Sequence, residues 1–193
     1  MMNIPAFEDV NRDESLILYG GSFNPPHLAH YLMVSAMRAY FPRAEVWILP
    51  TYKHAFDKSL MDYEVRCEML RALFERWPRV TISTLERDLH DSTSYTVDIV
   101  RELHRRYPRR RLWIAVGADI LPDLPKWRAY EEIVSMASFL VFPRMGCDEA
   151  GTIPLVSLPG ISSTEVRRCM AQNDWDAVRA LVPAEVYDRL RRT

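Results

Sequence analysis

The stretch Leu16-Ile17-Leu18-Tyr19-Gly20-Gly21-Ser22-Phe23-Asn24-Pro25-Pro26-His27-Leu28-Ala29-His30 runs from an apolar segment, through a turn of glycines and prolines, into a helical pattern. An apolar strand that empties into a tight turn and then a helix is the opening unit of a parallel α/β sheet. The free N–H groups at such a helix start, together with the positive end of the helix dipole, suit a phosphate. Gly20 and Gly21 remove side chains where the backbone turns sharply or comes close to a ligand. Pro25-Pro26 fits a rigid turn or a first helical position, where a missing N–H costs little. The turn is neither G-x-G-x-x-G nor G-x-x-x-x-G-K-[ST], so it supports neither a nicotinamide-dependent dehydrogenase nor a P-loop ATPase.

His27 and His30 are three apart and share one helix face. They read in three ways: as capping or surface histidines, as two ligands of a metal, or as donors to phosphate oxygens. The metal reading lacks a third ligand at motif spacing. The glycine-rich strand exit just upstream favours the phosphate reading over both others.

Outward from this stretch, apolar runs predict strands over 15–19, 45–49, 80–84, 112–116 and 138–142, with a short last strand over 152–158. Helical spacing predicts helices over 27–40, 62–76, 94–106, 162–172, 175–181 and 183–192. Leu28, Leu32, Ala36 and Met37 mark the inward side of the first helix, which Phe41-Pro42 ends. Val65, Met69, Leu70 and Leu73 face inward on the second, with Asp62 as its N-cap, and Val97, Val100 and Leu103 on the third. Residues 112–116 are apolar without a break, as in a strand covered on both faces. Residues 51–59 read as a polar loop. Strands alternating with helices predict an α/β, Rossmann-like, doubly wound parallel sheet followed by C-terminal helices. Ligands of such sheets bind beyond the carboxyl ends of the strands, where the turn after the first strand lies. Residues 1–14 are polar and aperiodic and read as a tail, and 15–193 as one domain.

The chain is 48% apolar and 26% charged with a formal net charge of −1, as expected for a soluble globular protein. That balance argues against a standing nucleic-acid or membrane surface. The basic run Arg105-Arg106-Tyr107-Pro108-Arg109-Arg110-Arg111 reads as a solvated helix end, since no aromatic platform accompanies it. Cys67, Cys147 and Cys169 are odd in number and widely spaced, which predicts free thiols in a reducing compartment. With no leader pattern and no apolar run of roughly 20 residues, the cytoplasm is the expected location.

A second motif lies near the C-terminus: Gly160-Ile161-Ser162-Ser163-Thr164-Glu165-Val166-Arg167. Ser162 and Glu165 form the S-x-x-E pattern of a capping box, which alone reads as an ordinary helix start. Its hydroxyls, free N–H groups and Arg167 one turn on also suit a polyphosphate.

Together, G-G-S-F-N-P-P-H-x-x-H and I-S-S-T-x-x-R resemble the nucleotidyltransferase superfamily that carries an H-x-G-H motif. Three middle segments narrow the match: Ser94-Tyr95-Thr96-Val97-Asp98, Gly117-Ala118-Asp119 and Leu124-Pro125-Lys126-Trp127. With them, nearly the whole chain resembles the nicotinate-mononucleotide adenylyltransferase family of NAD biosynthesis. The resemblance implies a nucleotidyltransferase-type sheet and an enzyme that transfers the adenylyl group of ATP to nicotinate mononucleotide, releasing pyrophosphate. It implies that His27 and His30 are catalytic, contacting the ATP phosphates and stabilising charge at the α-phosphorus. Gly21, Ser22 and Phe23 would supply backbone contacts near the reacting phosphates. Gly117 and Asp119 would line the nucleotide ribose, and Ser162, Ser163 and Arg167 would hold the leaving pyrophosphate. Asn24, Lys58, Thr96, Trp127 and Arg144 would bind the mononucleotide, with Trp127 stacking on the pyridine ring. Mg2+ would ride on the ATP phosphates, with no metal site of the protein's own. The implied partners are the two nucleotides, without nucleic acid or membrane, and the resemblance leaves a homo-oligomer open.

Two positions depart from the family pattern. Ala29 stands where the motif has glycine, and an added methyl would crowd a closely approaching nucleotide. Thr51-Tyr52-Lys53-His54-Ala55-Phe56-Asp57-Lys58 lacks the family's P-P-H-K, leaving Lys53, His54 and Lys58 as its positive charges. The alternatives are therefore an adenylyltransferase preferring nicotinamide mononucleotide or another phosphorylated acceptor, or a weakly catalytic nucleotide-binding protein.

Overall fold

The computed structural model describes residues 6–53, 60–89, 95–147, 152–153 and 157–192. Lys58, His54 and Ser94, with part of the expected last strand, lie outside the described residues.

The strands are β1 (Ser15–Gly21), β2 (Glu45–Pro50), β3 (Val80–Ile82), β4 (Arg111–Gly117) and β5 (Ala137–Phe142). They form one parallel sheet in the order β3-β2-β1-β4-β5. The chain builds outward from β1 to one side, then returns beside β1 and builds to the other, so the switch point lies between β1 and β4. The helices are α1 (Phe7–Val10), α2 (Leu28–Tyr40), α3 (Tyr63–Phe74), α4 (Leu85–Leu89), α5 (Thr96–Arg106), α6 (Tyr130–Met136), α7 (Ser163–Ala171), α8 (Trp175–Leu181) and α9 (Ala184–Leu190).

Side chains alternate across a strand, and here the alternation sorts the core into two layers. Ile17, Tyr19, Trp113, Ala115, Leu140 and Phe142 pack with Met33, Met37 and Leu70 on one face. Val166, Val178, Val186 and Leu190 of the last helices join that layer. Leu16, Leu18, Ile114, Val116, Phe139 and Val141 face the other way, onto Val97, Val100, Leu103 and Ile133. Sheet positions buried on both faces explain the continuous apolar runs 16–19 of β1, 112–116 of β4 and 139–142 of β5. The expected doubly wound sheet with C-terminal helices is the architecture observed.

Several local expectations need correction. The stretch read as a tail packs on the domain from residue 6: Val10 is fully buried, Phe7 stacks on Phe41 at 5.9 Å, and Asp13 pairs with Arg43 and Arg79. The inward side of α2 is Ala29, Met33, Val34 and Met37, while Leu32 is exposed. Helices α4 and α6 were not expected, because each buries a single residue, Leu85 and Ile133, and so shows no periodicity. No sheet strand follows β5 among the described residues; Leu158 makes only an isolated bridge to Arg144. In the basic run, Arg105 and Arg106 pair with Glu102, Arg110 with Glu45 and Arg111 with Asp9, in keeping with a helix end neutralised locally.

Candidate active site

The turn after β1 leaves the carboxyl end of the central strand and is held from several directions. Phe23 takes a left-handed conformation (φ 47°), and the Asn24-Pro25 peptide is cis. Asn24 is fully buried, and its side-chain oxygen accepts the Met61 N–H at 2.9 Å. The Thr51 N–H donates to the Gly21 carbonyl at 2.9 Å, tying the exit of β2 to the turn.

His27 is the N-cap of α2 and His30 lies in its first turn. Their rings stack 3.6 Å apart at 23°. Phe23 lies 4.8 Å from the His30 ring and Tyr19 6.2 Å from it, so an aromatic layer backs the imidazole. The His27 N–H donates to His30 Nδ1 at 3.1 Å. An imidazole whose Nδ1 accepts must, when neutral, carry its proton on Nε2. Both rings are held neutral. Burial, then the nearby Arg144 cation, pulls His27 down to about 3. Burial, then His27, then Arg144 pulls His30 well below the usual histidine range. The buried Nδ1 of His27 has no hydrogen-bond partner among the described residues.

The C-terminal motif meets this turn across most of the chain. Ser162 caps α7, accepting the Glu165 N–H at 3.2 Å. Ser163 Oγ donates to the Pro25 carbonyl at 2.9 Å, and Arg167 donates to the Asn24 carbonyl at 2.7 Å. The N-termini of α2 and α7 therefore open side by side, with their free N–H groups at one edge of the sheet.

Gly117 and Asp119 follow β4. A Cβ at Gly117 would lie 2.3 Å from Asp119 Oδ1, so glycine is required for this carboxylate to fold back over the strand end. Arg144, beyond β5, donates to Asp119 at 2.7 Å and to the Ile161 carbonyl at 2.9 Å. The sequence reading assigned Arg144 to the mononucleotide. In the structure its guanidinium joins Asp119 to the Ile161 carbonyl just before α7.

Thr96 opens α5, and Trp127 closes a short 3-10 helix, Leu124–Lys126. Trp127 is half-buried and meets Phe139 edge-on at 6.0 Å, so it is part of the second core layer as well as of the surface. Arg128 lies 4.6 Å from the centre of the Tyr95 ring, which bridges the segments that carry Thr96 and Trp127. Lys53 lies over the Tyr52 ring at 5.3 Å.

Sequence reasoning missed Arg66, which is buried beneath the turn and bonded to it. The available signal was a cation one turn from Tyr63, Met69 and Leu70 on the inward face of α3. It also missed Tyr19, which reads in sequence only as the last apolar residue of a strand. No group of three His, Cys, Asp or Glu residues that could hold a metal ion occurs among the described residues.

The sheet, the switch-point turn and the paired helix N-termini define a doubly wound α/β protein whose two motifs meet at the carboxyl end of the central strand. A profile of cytidylyltransferase-like proteins matches residues 18–169. A protein of Anaeromyxobacter dehalogenans named probable nicotinate-nucleotide adenylyltransferase is 36% identical over 173 residues, covering 89% of this chain and 90% of its own. One of Bacillus pumilus with the same name is 32% identical over 161 residues, covering 80% and 85%. The solved nicotinic acid mononucleotide adenylyltransferase of Plasmodium falciparum complexed with NaAD superposes with a TM-score of 0.80 at 22% identity, over 92% of this chain and 95% of that one. That likeness concerns the fold. The chain belongs to the nicotinate-nucleotide adenylyltransferase family, within the cytidylyltransferase-like proteins.

Proposed function

We propose that this protein transfers the adenylyl group of ATP to the phosphate of nicotinate mononucleotide, forming deamido-NAD and pyrophosphate. The observation that carries the reading is the junction of the two motifs: Ser163 and Arg167 bond the carbonyls of Pro25 and Asn24, immediately before the paired histidines. One end of the chain presents donors for the reacting phosphate and the other presents donors for the leaving group.

In this reaction an oxygen of the mononucleotide phosphate attacks the α-phosphorus, a new P–O bond forms, and the bond to the β-phosphate bridge oxygen breaks. No covalent enzyme intermediate is needed, so catalysis is positioning and neutralisation of charge. His30, with Nδ1 occupied, has Nε2–H as its donor toward an α-phosphate oxygen. His27 stacks against it and keeps its orientation. An arriving polyanion raises the proton affinity of both rings and strengthens these hydrogen bonds. The Ser162 hydroxyl, the N–H groups at the start of α7 and the Arg167 donors not spent on Asn24 receive the pyrophosphate, while Ser163, whose hydroxyl proton goes to the Pro25 carbonyl, offers its backbone N–H. Asp119, held by Arg144, faces the ribose hydroxyls. Thr96 and Trp127 take the mononucleotide, the indole against the pyridine ring. We expect Mg2+ to arrive on the triphosphate. Bound there, the ion would neutralise phosphate charge. The three cysteines are unpaired, and no described helix is long and apolar enough to cross a membrane. The unpaired thiols support our placement of the enzyme in a reducing compartment, the cytoplasm.

The test is pyrophosphate release by purified protein with ATP, Mg2+ and either nicotinate or nicotinamide mononucleotide. We expect release with both substrates present and preference for the acid. His30→Ala should lower kcat by roughly 10²–10³-fold, the cost of losing one preorganised donor. No release with either acceptor overturns the proposal, and a strong preference for the amide reassigns the acceptor.

A further inference from the structure

We infer that Arg66 is a positioning residue for the transfer step. It locks the turn after β1, the exit of β2 and the entry of α3 into one register beneath the reacting groups. The inference rests on the adenylyl-transfer reading of the site.

Among the described residues Arg66 is the largest fully buried side chain, with 1% of its surface exposed. A guanidinium so deep destabilises the fold unless its donors are satisfied. Its Nε donates to the Met61 carbonyl at 3.0 Å, one terminal nitrogen to Ser22 at 2.6 Å and the other to Thr51 at 2.8 Å. The Tyr63 ring covers the cation, 5.5 Å from centroid to guanidinium carbon. Each segment that Arg66 bonds is also joined to its neighbour without it. Thr51 N–H donates to Gly21, and Met61 N–H donates to Asn24, both at 2.9 Å. The bonds close a ring with Arg66 at its centre and the phosphate turn as one side.

The chain of contacts from Arg66 to the chemistry is short. Ser22 precedes Phe23, whose left-handed backbone aims its ring onto His30 at 4.8 Å. A displaced Ser22 carbonyl therefore moves the backing of the imidazole. Thr51 is the first residue of the segment that departs from the family pattern, so the side chain that sets the phosphate turn also fixes where that segment begins. Three carbonyls in three directions require a planar fork, and a lysine ammonium on a flexible stem does not reproduce it. Adenylyl transfer depends on in-line placement of two phosphates, and a displacement of about 1 Å costs roughly 10²-fold in rate. The pyrophosphate grip of α7 is braced by Ser163 and Arg167 on the Pro25 and Asn24 carbonyls rather than on the carbonyls that Arg66 holds. Loss of the fork therefore falls on kcat more than on ATP affinity.

The experiment compares wild type, Arg66→Lys and Arg66→Met. It measures pyrophosphate release with ATP, Mg2+ and nicotinate mononucleotide, ATP affinity by calorimetry, and folding by circular dichroism and Tm. The expected result is an Arg66→Lys protein that is folded at the assay temperature and binds ATP within about threefold of wild type, but whose kcat is lower by roughly 30–100-fold. A folded Arg66→Lys with near-wild-type kcat overturns the inference. So does activity lost only in proportion to the unfolded fraction, or failure of both variants to fold, since each marks a purely structural residue. A wild-type protein inactive with either acceptor overturns the proposed function and the inference with it. An active wild type with an unaffected Arg66→Lys overturns the inference alone.

Discussion

His30 has one ring nitrogen engaged by the backbone of His27 and the other available to a ligand, and burial keeps its ring uncharged. The consequence is a pH-dependent stability. A histidine in the unfolded chain titrates near 6.5, whereas folded His27 titrates at about 3 and His30 also lies well below 6.5. Between these values the unfolded chain binds more protons, so stability rises with pH there. The contribution is complete above about pH 6.5 and is lost progressively as pH falls toward about 3. Arg105 and Arg106 hold Glu102 at about 2 against a usual 4.5, so the stability from carboxylates of this kind is fully present above about 4.5 and is lost only as pH falls below it. Calorimetry between pH 4.5 and 6.5 therefore reads mainly the histidines. The double variant His27→Gln, His30→Gln should lose most of the Tm slope in that window, and an unchanged slope would refute the assignment. Ala29 raises a separate question at the same scale. It is buried in the first turn of α2, and Ala29→Gly should cost about 1 kcal/mol of stability in denaturant titration. Turnover should stay of the same order. A large gain in kcat would mean that the methyl crowds the nucleotide.

At the scale of elements, α1 shows how a short segment escapes pattern reading. Its four residues bury only Val10, and ion pairs from Asp9 and Asp13 to Arg111, Arg43 and Arg79 hold the rest. These partners lie far along the chain, and no local period announces them. The segment docks where β1 and β4 begin, at the sheet edge opposite the phosphate turn. Val10→Ala should therefore cost about 2 kcal/mol by lost burial and cavity formation, with kcat unchanged. A fall in kcat beyond the loss of folded protein would contradict that separation. Helix α2 carries a subtler lesson. Its existence and its end at Phe41 follow from spacing and Pro42, but its inward stripe is rotated from the expected one, leaving Leu32 in solvent. Spacing alone accepts either stripe, and the packing of α2 into the core layer that holds Val46 and Ile48 of β2 selects the one used.

At the scale of the molecule, the site exists only because the C-terminal helices return to the first strand. Val166, Val178, Val182, Val186 and Leu190 bury into the same layer as Ile17 and Met33, and that packing brings Arg167 to the Asn24 carbonyl. A ligand that bridges both motifs should stabilise the whole fold, by about 2.7 kcal/mol at 100-fold excess over Kd. Thermal denaturation with and without ATP and Mg2+ should show the rise in wild type and its loss in Arg167→Met. An equal rise in both would exclude Arg167 from the grip.

The amino-acid sequence by itself determined the alternation of strands and helices, the glycine and proline turn that leads from the first strand into a helix, and the serine-capped start of a second helix near the C-terminus. These depend on local chemistry: apolar period, the steric freedom of glycine and the rigidity of proline, and the capping preference of serine. The tertiary structure alone decided that the two motifs meet, that both histidines are neutral, that Arg144 joins Asp119 and that Arg66 closes a ring of carbonyls. Each of these is a relation between residues distant in the chain. Burial and charge pairing arise only when the sheet brings those residues to one edge.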